Sequence, residues 1–297
     1  MQTWPAPAKL NLFLHIIGQR DDSYHLLQSA IQFIDLCDEL TFVPRSDASI
    51  SCINSNPDIS QQEDLCAKAA SLLQEHMSEK SIDKQGIDIH INKKIPIGAG
   101  LGGGSSDAAT TLLALNHIWS CGLAQQELEQ MGIKLGADVP MFVRGQASWV
   151  EGIGEKLTPI TLEEPWGVVV FPEVHLNTQQ MFADPELTRN SVPIKIRDFL
   201  KMCDGPICKG EPSYLESTQN AFERLARRQP EIERAFQYLG KFSSARLTGS
   251  GSALFITCAS KLQAEEIAAS CAKKFTAYVT KRLNVSPVIS LNEYNGP

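Results

Sequence analysis

Hydrophobic and polar positions alternate most clearly over residues 86–92, where isoleucines at every second position are separated by aspartate and histidine. Successive side chains of a strand point to opposite faces, so this alternation predicts a half-buried strand, typical of an antiparallel sheet. Other apolar runs predict strands over residues 9–17, 39–44, 167–171 and 253–257. Residues 24–33 are mixed and fit either a helix or a strand.

Helical spacing of apolar residues is clearest over residues 64–79, where leucine, alanine and methionine recur on one face. Further helices are predicted over residues 105–119, 125–135, 220–239 and 261–274, and near Asp198. Residues 46–62 are polar and predict an exposed loop. Glycines and prolines make residues 152–165 a second polar stretch, and we predict a domain boundary there. The expected units are residues 1–155 and residues 156–297.

The segment between these elements with the most chemical information is a loop with five glycines in the seven residues 98–104. It follows the predicted strand at 86–92 and precedes the helix at 105–119. Glycine lets a backbone approach a ligand closely, and a helix N-terminus presents unpaired N–H groups that attract phosphate. This pattern predicts a phosphate-binding loop, to which Ser105 and Ser106 could add hydroxyl groups or hold a metal ion.

Two other phosphate-binding motifs fit this loop less well. Gly98, Gly100 and Gly103 satisfy G-x-G-x-x-G, but a dinucleotide fold needs a buried parallel strand before the loop and an acidic residue about 20 positions later. The loop also lacks the lysine of a G-x-x-x-x-G-K motif. A glycine-rich turn without a ligand remains an alternative, although so many glycines cost backbone entropy that a plain turn does not require.

Composition narrows the classes of partner. With 43% hydrophobic and 21% charged residues, the chain resembles ordinary soluble globular proteins, and its 297 residues suggest one large or two medium domains. A net charge of -7 argues against nucleic acid or an anionic membrane as the main partner. No export signal and no run of about 20 apolar residues is visible, so a cytoplasmic location is expected. The eight cysteines form no C-x-x-C pair, which predicts reduced thiols and no zinc site.

Three segments together resemble the GHMP small-molecule kinase family. They are residues 5–14 (Pro-Ala-Pro-Ala-Lys-Leu-Asn-Leu-Phe-Leu), the glycine loop and helix start at 96–109, and residues 247–255 (Leu-Thr-Gly-Ser-Gly-Ser-Ala-Leu-Phe). The resemblance implies an α+β, two-domain GHMP kinase fold with the active site in the interdomain cleft. The N-terminal domain would be ribosomal protein S5 domain 2-like, and the C-terminal domain a ferredoxin-like α/β sandwich.

Residues 21–25 (Asp-Asp-Ser-Tyr-His), 135–143 and 182–187 narrow the resemblance to one branch of that family. This branch uses ATP to phosphorylate the 2-hydroxyl of a cytidine diphosphate-linked methylerythritol. The resemblance therefore implies ATP and Mg²⁺ as cofactors and a small-molecule substrate. We expect a monomer or weak homodimer that binds neither nucleic acid nor membrane.

The matching positions carry implied roles. Asp138 would accept the proton of the attacking hydroxyl, and Lys9 beside it would keep Asp138 ionised and offset charge on the transferred phosphoryl group. The substrate would be held by Asn11, Tyr24, His25, Thr178 and Phe182. Residues 249–251 would support the floor of the site. The ATP phosphates would be wrapped by Pro96, Ile97, Gly98, Ala99, Gly100, Leu101, Gly102, Gly103, Gly104, Ser105 and Ser106.

Each role has a purely structural alternative. Lys9 could be a solvated charge, Asp138 a turn or helix cap, and Tyr24 and Phe182 core aromatics, with His25 on the surface.

Asp107 is expected to interact with the helix dipole rather than to act in catalysis. The chain also departs from the family at two places, with Ser23 replacing a glycine and Asp64 replacing an asparagine near the adenine pocket. Serine tolerates positive φ poorly, and an ionised carboxylate cannot donate the hydrogen bond of an amide.

Three alternative functions remain open. Another kinase of the family would act on mevalonate derivatives, homoserine or a sugar, none of which has a pyrimidine to stack on Phe182. A nucleotide sensor without catalysis would not need Lys9 and Asp138. A dinucleotide-dependent dehydrogenase would bind NAD rather than ATP.

Overall fold

The computed structural model describes residues 2–54, 63–80, 84–203 and 214–294, without the side chains of 292–294. Over these ranges the chain has ten strands and eleven helices, so the predicted α+β class is confirmed. The strands are β1 (Thr3–Gln19), β2 (His25–Arg45), β3 (Ile50–Asn54), β4 (Gly86–Asn92), β5 (Ser148–Gly152), β6 (Lys156–Pro159), β7 (Trp166–Phe171), β8 (Arg246–Leu247), β9 (Leu254–Cys258) and β10 (Thr276–Leu283). The helices are α1 (Leu65–Glu79), α2 (Gly103–Ile118), α3 (Gln125–Leu135), α4 (Val139–Arg144), α5 (Thr178–Ala183), α6 (Ile196–Cys203), α7 (Tyr214–Ser217), α8 (Glu223–Ala226), α9 (Pro230–Leu239), α10 (Lys261–Cys271) and α11 (Pro287–Tyr294).

The strands form one extended sheet whose main order is β3-β4-β2-β10-β7-β9-β8. β1 lies antiparallel to β2 from Thr3, opposite Thr41, to Gln19, opposite His25. The register shifts three times along this pair, once between Pro7 and Lys9. Such irregularities bend a strand and re-aim its side chains, and this one lies next to the lysine that the sequence singles out.

β2 settles the ambiguity of residues 24–33, which are strand from His25 onwards. Residues 28–34 are all buried, because β2 is covered on both faces. A strand buried on both faces does not alternate between polar and apolar residues, so the period of two that identifies β4 is missing here.

Two predictions about local structure are wrong. The loop predicted over residues 46–62 contains β3, which runs parallel to β4; residues 55–62 lie outside the described ranges. β4 therefore has one parallel and one antiparallel neighbour. The single helix predicted over 220–239 is two helices, because Pro230 has no N–H to donate and begins α9.

β10 joins the two parts of the sheet. It pairs with β7 from Thr276 to Lys281, and its last residues, Arg282 and Leu283, pair with Ile34 and Phe33 of β2. The helix α11 then packs against the N-terminal core through Val288. Neither β10 nor α11 was predicted.

Buried side chains form three clusters. The first lies among α1, α2, β2 and β4 and includes Leu73 and Leu112. The second lies under β7, β9, α9 and α10, and the third, around Trp149 and Phe199, lies between them. The domain boundary after residue 155 stays a prediction.

None of the helices in the described ranges is long and apolar enough to cross a bilayer. Cys208 lies outside these ranges, and none of the other seven cysteines forms a disulfide within them.

Candidate active site

A cavity of about 840 Å³ opens where the glycine loop, the β1–β2 pair and the turn at residues 249–251 meet. Both halves of the chain line it, as expected for a cleft site. The structure brings nearly all predicted site residues to this cavity: Lys9, Asn11, Tyr24, His25, residues 96–105, Asp138, Thr178 and Phe182.

Ser106 is placed differently from the prediction. It belongs to α2, is fully buried and does not line the cavity, and its hydroxyl has no hydrogen-bond partner in the described part of the chain. Its backbone N–H donates to the carbonyl of Gly102 at 2.9 Å. The reason is that α2 begins at Gly103, two residues earlier than predicted, which turns Ser106 toward the core.

Lys9 and Asp138 meet across the cavity although they lie in distant parts of the chain. The Lys9 ammonium is 3.9 Å from the Asp138 carboxylate, and 5% of the Lys9 side chain and 46% of the Asp138 side chain are exposed. Burial lowers the pKa of Lys9, and the charge of Asp138 opposes that shift. Asp138 precedes α4 at the N-cap position, but its side chain makes no capping hydrogen bond, so capping does not account for this carboxylate.

Hydrogen bonds fix the Lys9 ammonium. It donates to the Asn11 side-chain oxygen and to the carbonyl of Gly100, the latter at 2.9 Å. Asn11 in turn donates to the Ser29 hydroxyl at 2.9 Å, and its backbone N–H donates to the Thr248 hydroxyl at 2.9 Å. The orientation of Asn11 is therefore set by Ser29 of β2 and by Thr248, which directly precedes the turn at residues 249–251.

The glycine loop packs too closely for side chains at three positions, the first being Gly98, where a Cβ would lie 2.6 Å from Nδ1 of His175. At Gly100, with φ at +75°, a Cβ would lie 2.4 Å from the carbonyl oxygen of Thr248. At Gly102, with φ at +74°, it would lie 2.8 Å from the Phe142 ring. Gly102 is also the N-cap of α2 and offers no capping side chain, so the first N–H groups of α2 are available to an anion.

A buried cluster of ionisable side chains holds both ends of the glycine loop in place. Lys93, just before the loop, donates to Asp38 at 2.5 Å and to Asp107 of α2 at 2.6 Å. Asp38 also accepts the backbone N–H groups of Lys94 and Ile95, at 2.5 and 2.8 Å. Two acidic side chains thus share one ammonium and tie β2, the loop entry and α2 together.

Asp107 differs from its prediction because α2 begins early. It lies beyond the first turn and contacts Lys93, so its partner is a side chain and not the helix dipole. Burial raises the pKa of Asp107 to about 8, and Lys93 opposes that shift.

Aromatic side chains form a slot at the other end of the cavity. The rings of His25 and Phe182 are stacked, with centroids 4.9 Å apart and planes 26° apart. The Phe182 ring packs edge-on against Phe222. Tyr24 lines the cavity with 59% of its surface exposed, so it is not a core aromatic. Thr178 lies next to the slot, and its hydroxyl is 2.8 Å from that of Ser250.

Both departures from the family pattern have local consequences. Ser23 has φ at +69°, so the turn before Tyr24 places a serine in the region that favours glycine. Asp64 is the N-cap of α1 and accepts the backbone N–H of Cys66 at 2.8 Å and the Asn54 amide at 3.2 Å. At the wall of the cavity, Asp64 is therefore a hydrogen-bond acceptor.

Sequence reasoning missed Lys93 and Asp38 and also Arg189, which contacts His25. Lys93 could have been noticed as a lysine directly before the glycine loop. Asp38 and Arg189 lie in segments without a motif, and only the pairing of distant strands brings them to the site.

Comparison with known proteins identifies the family. The family model described as GHMP kinases N terminal domain matches residues 64–146, and the one described as GHMP kinases C terminal matches residues 213–277. The chain is 47% identical to the 4-diphosphocytidyl-2-C-methyl-D-erythritol kinase of Pseudomonas fluorescens (strain SBW25), over 96% of this chain and 94% of that protein. It is 44% identical to the kinase of the same name from Nitrosococcus oceani, over the whole of both chains.

Solved structures support the same family. A crystal structure of 4-(cytidine 5'-diphospho)-2C-methyl-D-erythritol kinase matches with a TM-score of 0.79 and 30% identity, covering 95% of this chain and 99% of the other. A mevalonate kinase matches with a TM-score of 0.68 and 18% identity over 96% and 100% of the two chains, which shows a shared fold. The chain therefore belongs to the GHMP kinases and, within them, to the family of the 4-diphosphocytidyl-2-C-methyl-D-erythritol kinases.

Proposed function

We propose that this kinase transfers the γ-phosphoryl group of ATP to the 2-hydroxyl of 4-diphosphocytidyl-2-C-methyl-D-erythritol, with Asp138 as the base and Lys9 as the cation beside it. The observation that carries this assignment is the buried Lys9 ammonium, 3.9 Å from Asp138, beside the glycine loop. The names of the full-length relatives support the choice of substrate.

The roles follow from exposure and charge. Asp138 faces the cavity and accepts the hydroxyl proton as the new oxygen–phosphorus bond forms and the bond from phosphorus to the leaving ADP oxygen breaks. Lys9 cannot turn away, because Asn11 and Gly100 hold its ammonium. A fixed cation stabilises both the carboxylate and the negative charge of the transferred group.

The loop and the first turn of α2 bind the ATP phosphates in this proposal. Uncapped N–H groups, glycine backbone and the positive end of the helix dipole all favour an anion there. At the far end, Phe182, Tyr24 and His25 hold the cytosine ring by stacking and hydrogen bonding.

Mg²⁺ belongs to the proposal as the partner of ATP. No cluster of three or more potential metal ligands occurs among the His, Cys, Asp and Glu side chains that the structure describes. Mg²⁺ usually binds through substrate phosphates, waters and one or two carboxylates, and Ser105 offers a hydroxyl oxygen at the cavity. The ion would offset the charge of the phosphates.

The remaining parts of the proposal concern the whole protein. We propose a cytoplasmic monomer or weak homodimer that binds neither nucleic acid nor membrane. The net charge of -7 supports this, because a nucleic-acid or anionic-membrane partner favours a basic surface.

Phosphorus NMR tests the proposed reaction. Purified protein with Mg²⁺, ATP and the cytidyl substrate should produce ADP and one new phosphomonoester signal, and neither should appear without the substrate. Mevalonate and homoserine serve as alternative acceptors. Turnover of either in preference to the cytidyl substrate would overturn the substrate assignment, and a lack of ATP consumption with every acceptor would overturn the kinase assignment.

A further inference from the structure

Arg189 lies beside the aromatic slot and contacts two of the residues that form it, His25 and Phe182. Its Nε donates to Nε2 of His25 at 3.1 Å. Its guanidinium also donates to the backbone carbonyls of Phe182 at 2.8 Å, Asp184 at 2.9 Å and Leu187 at 3.3 Å. One side chain therefore joins the His25 ring to the end of α5, which carries Phe182.

The direction of the bond to His25 determines where the imidazole proton lies. A guanidinium group has donors and no acceptor, so the ring nitrogen that faces it must offer a lone pair. Nε2 of His25 is therefore unprotonated, and a neutral ring carries its proton on Nδ1. Burial, and then the positive charge of Arg189, lower the pKa of His25, which favours the neutral ring.

We infer that Arg189 is a positioning residue that fixes the Nδ1–H form of His25, so that the slot presents a hydrogen-bond donor to a pyrimidine. O2 is an acceptor in both pyrimidines, but N3 is an acceptor in cytosine and carries a proton in uracil. A fixed donor that faces N3 therefore favours cytosine, while an imidazole free to exchange its proton position could accept from uracil as readily. This inference rests on the proposed function for the identity of the ligand.

The same contacts explain why a lysine could not replace Arg189 in this position. Arg189 satisfies carbonyl groups around the end of α5, where a helix leaves carbonyls without intrahelical partners. Its planar fork reaches these carbonyls and the imidazole at once, which a single ammonium cannot do in the same geometry. Arg189 therefore sets the spacing of the slot as well as the proton on His25.

Nitrogen NMR of the histidine side chains tests the inference directly. The chain has six histidines, so the imidazole signals can be resolved, and the His25 signal is assigned by its loss in His25→Gln. We expect the Nδ1–H form for the wild-type protein and a mixture of forms for Arg189→Met. An Nε2–H form of His25 in the wild-type protein would overturn the inference without any substitution at Arg189.

Steady-state kinetics test the consequence for the choice between cytosine and uracil. The wild-type enzyme should prefer the cytidine-linked substrate over its uridine analogue, and Arg189→Met should lose about tenfold of that preference, mainly through KM. Arg189→Lys should lose the preference similarly, because a single ammonium cannot hold the carbonyls and the imidazole at once. Arg228→Met is the matched control, because Arg228 pairs with Asp184 and Glu186 near the same loop and should retain the wild-type preference.

Failure of the proposed function and failure of the inference about Arg189 give different experimental results. If the protein phosphorylates neither cytidine- nor uridine-linked substrate but His25 has the Nδ1–H form, the proposed function fails and the role of Arg189 toward His25 stands. If turnover is normal and Arg189→Met keeps the full preference for cytidine, Arg189 does not select cytosine over uracil, and the proposed function stands.

Discussion

The Lys9 ammonium approaches the Asp138 carboxylate to 3.9 Å although the two residues lie in β1 and at the start of α4. The lysine is buried and held by neighbours, while the carboxylate remains accessible from the cavity. This asymmetry suits a fixed cation and a base that must reach a substrate. It also gives the first prediction.

Asp138→Asn should lower kcat by about 10²- to 10⁴-fold, because an amide cannot accept the hydroxyl proton. ATP affinity should stay close to wild type, since Asp138 is not part of the glycine loop. Steady-state kinetics and ATP titration measure the two quantities, and Asp198→Asn, in an exposed ion pair, is the control. Lys9→Ala should lose turnover similarly. Wild-type turnover in either variant would remove that residue from the mechanism.

Phe182→Ala should raise KM for the cytidyl substrate by about 10- to 100-fold, since stacking of a base on an aromatic ring contributes about 1–3 kcal/mol. The value of kcat should change much less, because the ring lies in the slot and not beside Asp138. Phe242→Ala removes an aromatic ring that packs on Tyr238, and it should leave KM unchanged. A normal KM in Phe182→Ala would dismiss the stacking role.

Ser23→Gly should stabilise the protein by roughly 0.5–1 kcal/mol, because it relieves a serine held at φ +69°. It should also change KM for the substrate, because Ser23 directly precedes Tyr24. Ser120→Gly is the matched control, with φ at +52° at the end of α2. It should give a similar gain in thermal stability with no change in KM. Equal KM values in both variants would show that the turn does not aim Tyr24.

Gly100→Ala and Gly122→Ala separate backbone strain from close packing. Both glycines have positive φ, at +75° and +65°, but only Gly100 would place a Cβ against another atom, 2.4 Å from the Thr248 carbonyl. Gly122→Ala should cost about 1 kcal/mol in the free energy of unfolding, and Gly100→Ala about 2 kcal/mol more. ATP affinity should fall only in Gly100→Ala. Equal losses of stability would contradict the close approach of the glycine loop to Thr248 and the turn at residues 249–251.

Asp107 predicts a pH dependence of stability. Its pKa is raised from 3.8 to about 8, so between these values the folded protein holds a proton that the unfolded chain has released. Stability should therefore fall as the pH rises through this window, by at most about 1.4 kcal/mol per pH unit. Asp107→Asn should remove this slope in urea unfolding measured from pH 5 to 8. An identical slope in both proteins would show that Asp107 does not hold the proton.

Local patterns predicted the parts of the fold that are determined locally. The alternation of β4, the spacing of α1 and α3, and the glycine loop are all found where they were expected. The resemblance to a known family selected Lys9 and Asp138, which composition and periodicity could not have distinguished from a surface charge and a helix cap.

Long-range pairing is responsible for what the sequence did not predict. Arg189 has no motif around it, and its importance depends on β2 bringing His25 within 3.1 Å. The Lys93 cluster likewise needs β2, the loop entry and α2 to meet. Burial on both faces removed the periodic signal of β2.

The position of β10 has a consequence for the order in which the molecule can be completed. The strand that joins β2 to β7 consists of residues 276–283, so the connection between the two parts of the sheet forms only after almost all of the chain has been synthesised. The glycine loop and the turn at 249–251 are made earlier and contact each other through the Ala253 N–H and the Ala99 carbonyl, but the sheet that carries them is continuous only once β10 is in place. A protein cut before Thr276 should therefore contain two unconnected parts of the sheet and have a lower free energy of unfolding than the full chain.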